Sequence, residues 1–272
     1  MTSAFTMGAI RPSTLIGAIG SLPWTANPEA IREGGLRFAP QLRDGRLTLV
    51  NVAIFENGQT EATLYVSDQR EWTSVRSAAA GRGGTGITRI RVPAITLAAL
   101  IEQFGSPIYL KIDIEGMDEV ALESLASTSV RPRFISVEAE CIGEAEPTET
   151  DALRKLDLLV ELGYSRFKLV DQDSLRVLSM DDLDLGPRRT FVAKLHAGLD
   201  RLRGRKRTAV LRIAGRKTIF PIGASGPFGE DLAGEWIDKD RSRTLLVAAR
   251  RAYFARADAR ADAFWCDWHA MT

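Results

Sequence analysis

The chain has 272 residues, of which 45% are hydrophobic and 26% charged, and its formal net charge is +1. This composition is typical of a globular protein with one large α/β domain, or one domain and a smaller appendage, and gives no reason to expect nucleic acid as a partner. No apolar run approaches the roughly 20 residues that cross a bilayer, so no membrane span is expected. Cys141 and Cys266 support neither a disulfide framework nor a zinc knuckle, and a cytoplasmic protein is expected.

Residues 1–26 are an atypical leader. A nucleotide-type cofactor site in an open α/β sheet begins with a strand, a glycine-rich turn, a helix and a second strand. The sequence G-A-I-G at 17–20 is followed by a helix start at Pro28, which leaves too few residues for an intervening helix and strand. Two explanations stay open: an unrelated or mis-assigned leader replaces the first β-α-β unit, or the unit is shortened. The first is favoured, because a sheet that lacks its central strand exposes strand edges.

From residue 27 onwards the chain alternates between helix and strand signals. The predicted elements are a helix that begins at Pro28 and closes before Pro40, strands at 47–55, 62–67 and 87–93, and a helix over 96–104 that Gly105 ends. Residues 67–91 contain four glycines and three arginines between Ser74 and Ile90. Such a stretch indicates either a connector or an anion-binding lid over an acceptor site.

Residues 107–125 have the pattern of a buried strand that runs directly into a helix. Two sets of side chains alternate along the strand, one apolar and one largely polar: Ile108, Leu110, Ile112 and Ile114, and Tyr109, Lys111, Asp113 and Glu115. Asp113 and Glu115 therefore point the same way at the carboxyl end of the strand, where open α/β sheets bind ligands. Lys111 on the same face either keeps a neighbouring carboxylate ionised or forms a structural ion pair, and both alternatives stay open.

The remainder of the chain adds three strands, a helix and an extension. Strands are predicted at 134–140, 166–171 and 188–195, and a helix at 152–162. The basic run at 201–217 indicates a solvated surface or an anionic partner. The tail that follows predicts an ordered binding loop, in which Trp236, Trp265 and Trp268 form a lid or a subunit contact. The predicted division is a leader at 1–26, an α/β domain at 27–198 and a basic and aromatic extension at 199–272.

Several short motifs resemble those of FkbM-family methyltransferases, which have the class I, S-adenosylmethionine-dependent fold. These motifs are K-I-D-I-E-G at 111–116, L-T-L-V-N-V-A-I-F-E-N-G at 47–58, V-P-A-I-T-L-A-A-L at 92–100 and F-I-S-V-E-A-E at 134–140. The similarity covers about residues 27–195. It implies an α/β, Rossmann-like class I methyltransferase sheet that lacks or alters its first β-α-β unit, with a C-terminal extension.

The resemblance implies S-adenosylmethionine as the cofactor and methyl transfer to an oxygen of a small molecule or glycan. The candidate catalytic residues are Asp113, Glu115 and Lys111. The candidate cofactor-binding residues lie at strand ends and in the glycine motif: Asn51, Val52, Ala53, Asp113, Gly17 and Gly20. His196 and His269 are alternative bases, and no metal site is expected. The alternatives are a methyltransferase-fold binding protein that is inactive because its cofactor glycine motif is missing, and a nucleotide-dependent oxidoreductase.

Overall fold

The computed structural model describes residues 4–7, 21–69, 72–114, 116–139, 149–172, 174–184, 208–213, 216–221, 226–255 and 264–272. Thirteen strands lie in these residues and are numbered β1 to β13: Ala4–Met7, Ser21–Thr25, Val50–Asn51, Ala53–Ile54, Glu61–Ser67, Ile87–Ile95, Tyr109–Ile112, Phe134–Glu138, Arg166–Asp171, Arg176–Val177, Thr208–Ile213, Arg216–Pro221 and Cys266–Met271. Eight α-helices of the same part of the chain are numbered α1 to α8: Pro28–Arg37, Ala39–Arg43, Ser77–Ala80, Leu97–Phe104, Asp118–Leu125, Glu149–Glu161, Met180–Asp184 and Lys239–Phe254.

Eight of the strands form one sheet in the order β10-β9-β13-β8-β7-β1-β2-β3. The strands from β8 to β3 are all parallel, whereas β13 runs antiparallel to both of its neighbours, β8 and β9. The chain builds this sheet outward from β1, with β2 and β3 on one side and β7 and β8 on the other. The strand order therefore reverses between β1 and β7, which is where open α/β sheets bind their ligands.

The first two strands lie inside the residues that the sequence assigned to a leader. β1 pairs with both β2 and β7, in parallel, and so occupies the centre of the sheet. Residues 4–7 and 21–25 thus contribute strands to the sheet, and the two explanations for the first β-α-β unit stay predictions. The residues between β1 and β2, 8–20, lie outside the described part of the chain. The strands β1, β7 and β13 all belong to this one sheet, so the sheet includes strands from all three segments of the predicted division.

The apolar face of the sheet packs against four helices. Leu110, Ile112 and Trp268 are fully covered on this face. They belong to one hydrophobic cluster with residues of α4, α5, α6 and α8. Burial of large aliphatic and aromatic side chains such as these contributes about 1.5–3 kcal/mol for each side chain, so this layer supplies much of the driving force for folding.

The opposite face of the sheet is polar but is also buried. Tyr109, Lys111, Ser136, Lys168 and His269 each expose 5% or less of their surface. Residues 226–237 cover part of this face. Within this covering segment, the Phe228 ring stacks on Tyr109 with 4.2 Å between ring centroids, and the Trp236 ring lies 4.1 Å from the Lys168 ammonium. The polar side chains are therefore held in the interior, where each needs a partner.

Most of the predicted elements are confirmed where the structure describes them. Thr96 caps α4 by accepting a hydrogen bond from the Ala99 backbone N–H at 3.1 Å, and Gly105 follows the helix with a φ of 92°. The predicted strand at 47–55 is instead two short strands, β3 and β4, that join different sheets on either side of Val52. The strand predicted at 188–195 lies outside the described residues.

The last part of the aromatic tail, Cys266–Met271, is a strand rather than part of the predicted binding loop. β13 alternates strictly, with Trp268 in the hydrophobic core and Asp267 and His269 on the polar face. Trp268 is 0% exposed, so it forms neither a lid nor a subunit contact. Of the basic run, residues 208–213 and 216–217 lie in the β11-β12 hairpin, and 201–207 are outside the described part. No helix within the described residues combines the length and the apolar character needed to cross a membrane.

A buried ion pair joins α5 to α6 and gives a test of the fold. The Lys155 ammonium lies 3.1 Å from the Asp118 carboxylate, and both side chains are 2% exposed. We expect Lys155→Met to lower the free energy of unfolding by about 3–5 kcal/mol, because it leaves a carboxylate buried without its cation. The matched control is Arg154→Met, since Arg154 pairs with Glu123 on the surface; its loss costs at most about 1 kcal/mol. Chemical denaturation measures both, and equal effects would contradict the prediction.

Candidate functional site

The candidate site begins where β7 ends, at the carboxyl edge of the sheet. Asp113 directly follows β7, and its side chain is 38% exposed. The chain then turns at Gly116, which has a φ of 86°, a conformation that favours glycine. Asp118 at the start of α5 accepts a hydrogen bond from the Ile114 backbone N–H at 3.1 Å. The strand end, the turn and the helix start are therefore fixed relative to one another, with the Asp113 carboxylate at the switch point. Glu115 lies outside the described residues.

Lys111 lies beneath Asp113 and is nearly inaccessible to solvent. Its ammonium is 2.5 Å from the Asp267 carboxylate and 3.6 Å from the Asp113 carboxylate. Burial alone would lower the pKa of Lys111, but the carboxylates of Asp267 and Asp113 outweigh it and raise that pKa above its ordinary value. Of the two alternatives from the sequence, the structural ion pair is present, and the ammonium also neighbours Asp113. Lys111 thus lies buried between Asp267 and Asp113, and its predicted catalytic role stays a prediction.

Asn51 lies on the other side of the switch point, at the end of β3. Its side-chain amide donates a hydrogen bond to the Thr25 backbone carbonyl at 2.9 Å and so joins the ends of β2 and β3. Val52 and Ala53 expose 7% and 3% of their surface and belong to the interior. The predicted role of these three residues in cofactor binding stays a prediction, and for Val52 and Ala53 it would have to be made by the backbone.

The glycine motif that was predicted for the cofactor site lies at residues 17–20. Gly17 and Gly20 lie outside the described residues, and their predicted cofactor contacts stay predictions. β2 begins at Ser21, at the amino edge of a parallel sheet, whereas Asp113 lies at the carboxyl edge. β1 ends beside the carboxyl end of β7, because Thr6 pairs with Lys111. The sequence continues after β1 with Gly8, which lies outside the described residues.

The glycine-rich segment between β5 and β6 packs against the turn after β7. The Arg76 Nε donates a hydrogen bond to the Met117 sulfur at 3.4 Å. A Cβ atom on Gly116 would lie 3.3 Å from the Arg76 Cδ, so the arginine stem packs closely on the glycine. Arg76 therefore borders the candidate site, and the anion-binding lid stays a prediction.

The buried polar face continues from Lys111 across three further strands. The register aligns Lys111, Ser136, His269 and Lys168 in one row. The Tyr109 and Ser136 hydroxyls are hydrogen-bonded at 2.6 Å, and the His269 Nε2 has no hydrogen-bond partner among the described residues. Burial lowers the pKa of His269 to about 3, and the ammonium groups of Lys111 and Lys168 act in the same direction. His269, predicted as an alternative base, is thus an enclosed neutral side chain; His196 lies outside the described part.

A cavity of about 610 Å³ lies at the β9-β10 edge of the sheet. Its walls come from β9, β10, α7, residues 231–237 and α8, and include Leu175, Val177 and Met180. In the sheet order, β13 and β8 separate this edge from β7, so at about 4.8 Å between strands the cavity is some 14 Å from the Asp113 strand. It is not part of the candidate site.

The sheet order, the reversed strand β13 and the carboxylate at the switch point together define a Rossmann-like α/β fold of the class I methyltransferase type. The chain belongs to the methyltransferase FkbM domain family, whose model matches residues 26–166, slightly more than half of the sequence. The fold expected from the motifs is thereby confirmed.

The solved structures include one that is similar to part of this chain. The crystal structure of methyltransferase FkbM from Methylobacillus flagellatus KT, at 2.20 Å resolution, is similar over 62% of this chain with 10% sequence identity and a TM-score of 0.36. The similar region spans 40% of that chain. No curated protein sequence matches this chain.

Proposed function

We propose that this protein transfers a methyl group from S-adenosylmethionine to an oxygen atom of a small molecule or glycan. The observation that carries the proposal is the Asp113 carboxylate, which is partly exposed at the switch point of the sheet in a member of the methyltransferase FkbM family. The oxygen acceptor rests on the resemblance of the motifs alone. The oxidoreductase alternative has no comparable support.

The groups at the carboxyl edge suit the polar parts of S-adenosylmethionine. The cofactor carries an ammonium group and hydroxyl groups, which a carboxylate and a backbone carbonyl can accept as hydrogen-bond donors. Asp113 offers the carboxylate beside β1, and Asn51 holds the ends of β2 and β3 together, so that Val52 and Ala53 can present backbone atoms to the adenine. An acid at the end of β2 would complete the set, but Thr25 stands there and its hydroxyl accepts from the Asn27 backbone N–H at 3.2 Å. The residues fit the ammonium end of the cofactor better than the ribose.

Methyl transfer from a sulfonium to a hydroxyl requires the protein mainly to align the acceptor with the methyl group and to remove the acceptor proton. When bound, S-adenosylmethionine supplies an electrophilic methyl group on a sulfonium. Asp113, or Glu115 if Asp113 holds the cofactor's ammonium group, would accept the proton of the acceptor hydroxyl while the methyl group leaves the sulfonium sulfur for the hydroxyl oxygen. General-base catalysis of this kind contributes about 10²–10⁴-fold. Lys111 holds its ammonium 3.6 Å from the Asp113 carboxylate and so helps to fix the position of that side chain. We assign Glu115 to the same group of acids on its sequence position, as either the base or the ligand of the cofactor.

One observation favours a second candidate, a binding protein with the methyltransferase fold but no activity. Only residues 8–20 connect β1 to β2, which is short for a glycine-rich turn and a full crossover helix. That connection is the part of the fold that contacts the phosphate or amino acid end of a nucleotide-type cofactor.

Calorimetric titration with S-adenosylmethionine separates the two candidates. The enzyme is expected to bind it with micromolar affinity and to transfer a radiolabelled methyl group to at least one member of a panel of hydroxyl-containing glycans and small molecules. Binding without transfer to any acceptor would favour the binding protein. The absence of both heat and a thermal shift would contradict the proposed function.

A further inference from the structure

We propose that Asp267, in the last strand of the sheet, is a positioning residue that acts on Asp113 through Lys111. This inference rests on the proposed function and extends it to a residue that lies outside the family match at 26–166. Asp267 is separated from Lys111 by 156 positions in the sequence, and only the insertion of β13 beside β8 brings the two together.

The strand register explains how the two side chains meet. Asp267 faces Glu138 on β8, and Lys111 faces Ser136, so both side chains lie on the same face of the sheet. β7 and β13 are separated by β8 and therefore lie about 9.6 Å apart, a distance that a long lysine side chain crosses together with an aspartate. The Lys111 ammonium reaches over β8 and ends 2.5 Å from the Asp267 carboxylate.

The Lys111 ammonium lies closer to the Asp267 carboxylate than to the Asp113 carboxylate. The ammonium is 2.5 Å from Asp267, which is 1% exposed, but 3.6 Å from Asp113, which is 38% exposed. A buried ammonium requires a close anionic partner, and Asp267 supplies it within the interior. Asp113 is thereby the more distant of the two partners, and its carboxylate stays partly exposed. Among the described residues, Asp113 is the other carboxylate within ion-pair distance of the ammonium, so without Asp267 the ammonium draws the Asp113 carboxylate inward.

A steady-state comparison of Asp267→Asn with the wild type tests the inference. A displacement of about 1 Å at a reacting group costs on the order of 10²-fold in rate, so we expect kcat to fall about 10²-fold while the KM for S-adenosylmethionine changes far less. The control is Asp157→Asn, which breaks the ion pair of Asp157 with Arg243 between α6 and α8 and leaves kcat unchanged. A variant that loses thermal stability but keeps its kcat would overturn the inference, because Asp267 would then be purely structural.

A double variant and an NMR measurement on Asp113 separate a positioning role of Asp267 from a loss of folding. Asp267→Asn leaves a buried charge and can unfold the protein, whereas the double variant Lys111→Met/Asp267→Leu removes both charges and retains the packing. The double variant is expected to be folded and to lose kcat to the same extent; wild-type kcat would overturn the inference. The second measurement is the ¹³C signal of the Asp113 carboxyl group, which is expected to move in Asp267→Asn and not in Asp157→Asn. A signal that stays in place overturns the inference, whereas absence of methyl transfer by the wild type overturns only the proposed function.

Discussion

Asp113→Asn is expected to lower kcat/KM for methyl transfer by about 10²–10⁴-fold, the range that a general base supplies. The substitution keeps the shape of the side chain but removes its ability to accept a proton. Asp113 is partly exposed at the end of β7, and the buried Lys111 keeps Asp267 as its closer partner, so the fold should survive. Initial rates with a labelled methyl donor, together with the thermal midpoint of each protein, measure the effect.

The control for this prediction is again an aspartate with no contact to the site. Asp157→Asn changes the same chemical group on α6 and should leave kcat/KM unaltered. If Asp113→Asn retains at least a third of the wild-type rate, Asp113 is not the base, and Glu115→Gln becomes the variant that carries the test. If the rate is retained but the affinity for S-adenosylmethionine falls, Asp113 orients the cofactor and another group removes the proton.

The second large effect concerns His269 and acid. The pKa of His269 is about 3 in the folded protein against an ordinary value of 6.5, so the unfolded chain takes up this proton first. Stability is therefore fully present above pH 6.5 and is lost progressively as the pH falls towards 3. The slope is at most about 1.4 kcal/mol per pH unit, and across this window the loss amounts to roughly 5 kcal/mol. Burial of the imidazole is the main cause of the low pKa of His269, and the ammonium groups of Lys111 on β7 and Lys168 on β9 add to it.

Urea denaturation of the wild type and of His269→Gln between pH 7 and pH 4 measures this effect. The free energy of unfolding of the wild type should fall more steeply with decreasing pH than that of the variant. His196→Gln removes the other histidine of the sequence and should retain the wild-type slope. Parallel curves for the wild type and His269→Gln would mean that His269 becomes charged within the folded protein.

The local parts of this fold were predictable because short-range rules determine them. The alternation around Lys111 and the change of period after Gly116 marked a strand that runs into a helix, and β7 and α5 are found there. Thr96 and Gly105 marked the two ends of α4 for equally local reasons. These signals also located Asp113 correctly at the carboxyl end of a strand.

The long-range parts were not predictable from such rules. The alternation in Cys266–Met271 is a strand signal, but the tryptophans of the tail and the glycines at 223–229 suggested a loop. The place of this strand between β8 and β9 depends on contacts more than 90 positions away. The partner of Lys111 follows from that placement alone. β1 is only four residues long, so its own pattern was too short to reveal the central strand of the sheet.

The position of β13 has a consequence for how the protein is made. β8 and β9 are separated by this strand, so a nascent chain that has emerged only as far as α8 carries two strands with facing, unpaired edges. Exposed edges of that kind pair readily with other chains, and chaperones commonly bind such intermediates. During synthesis the sheet closes late, and slowing translation ahead of Cys266 should prolong the interval in which aggregation competes with folding.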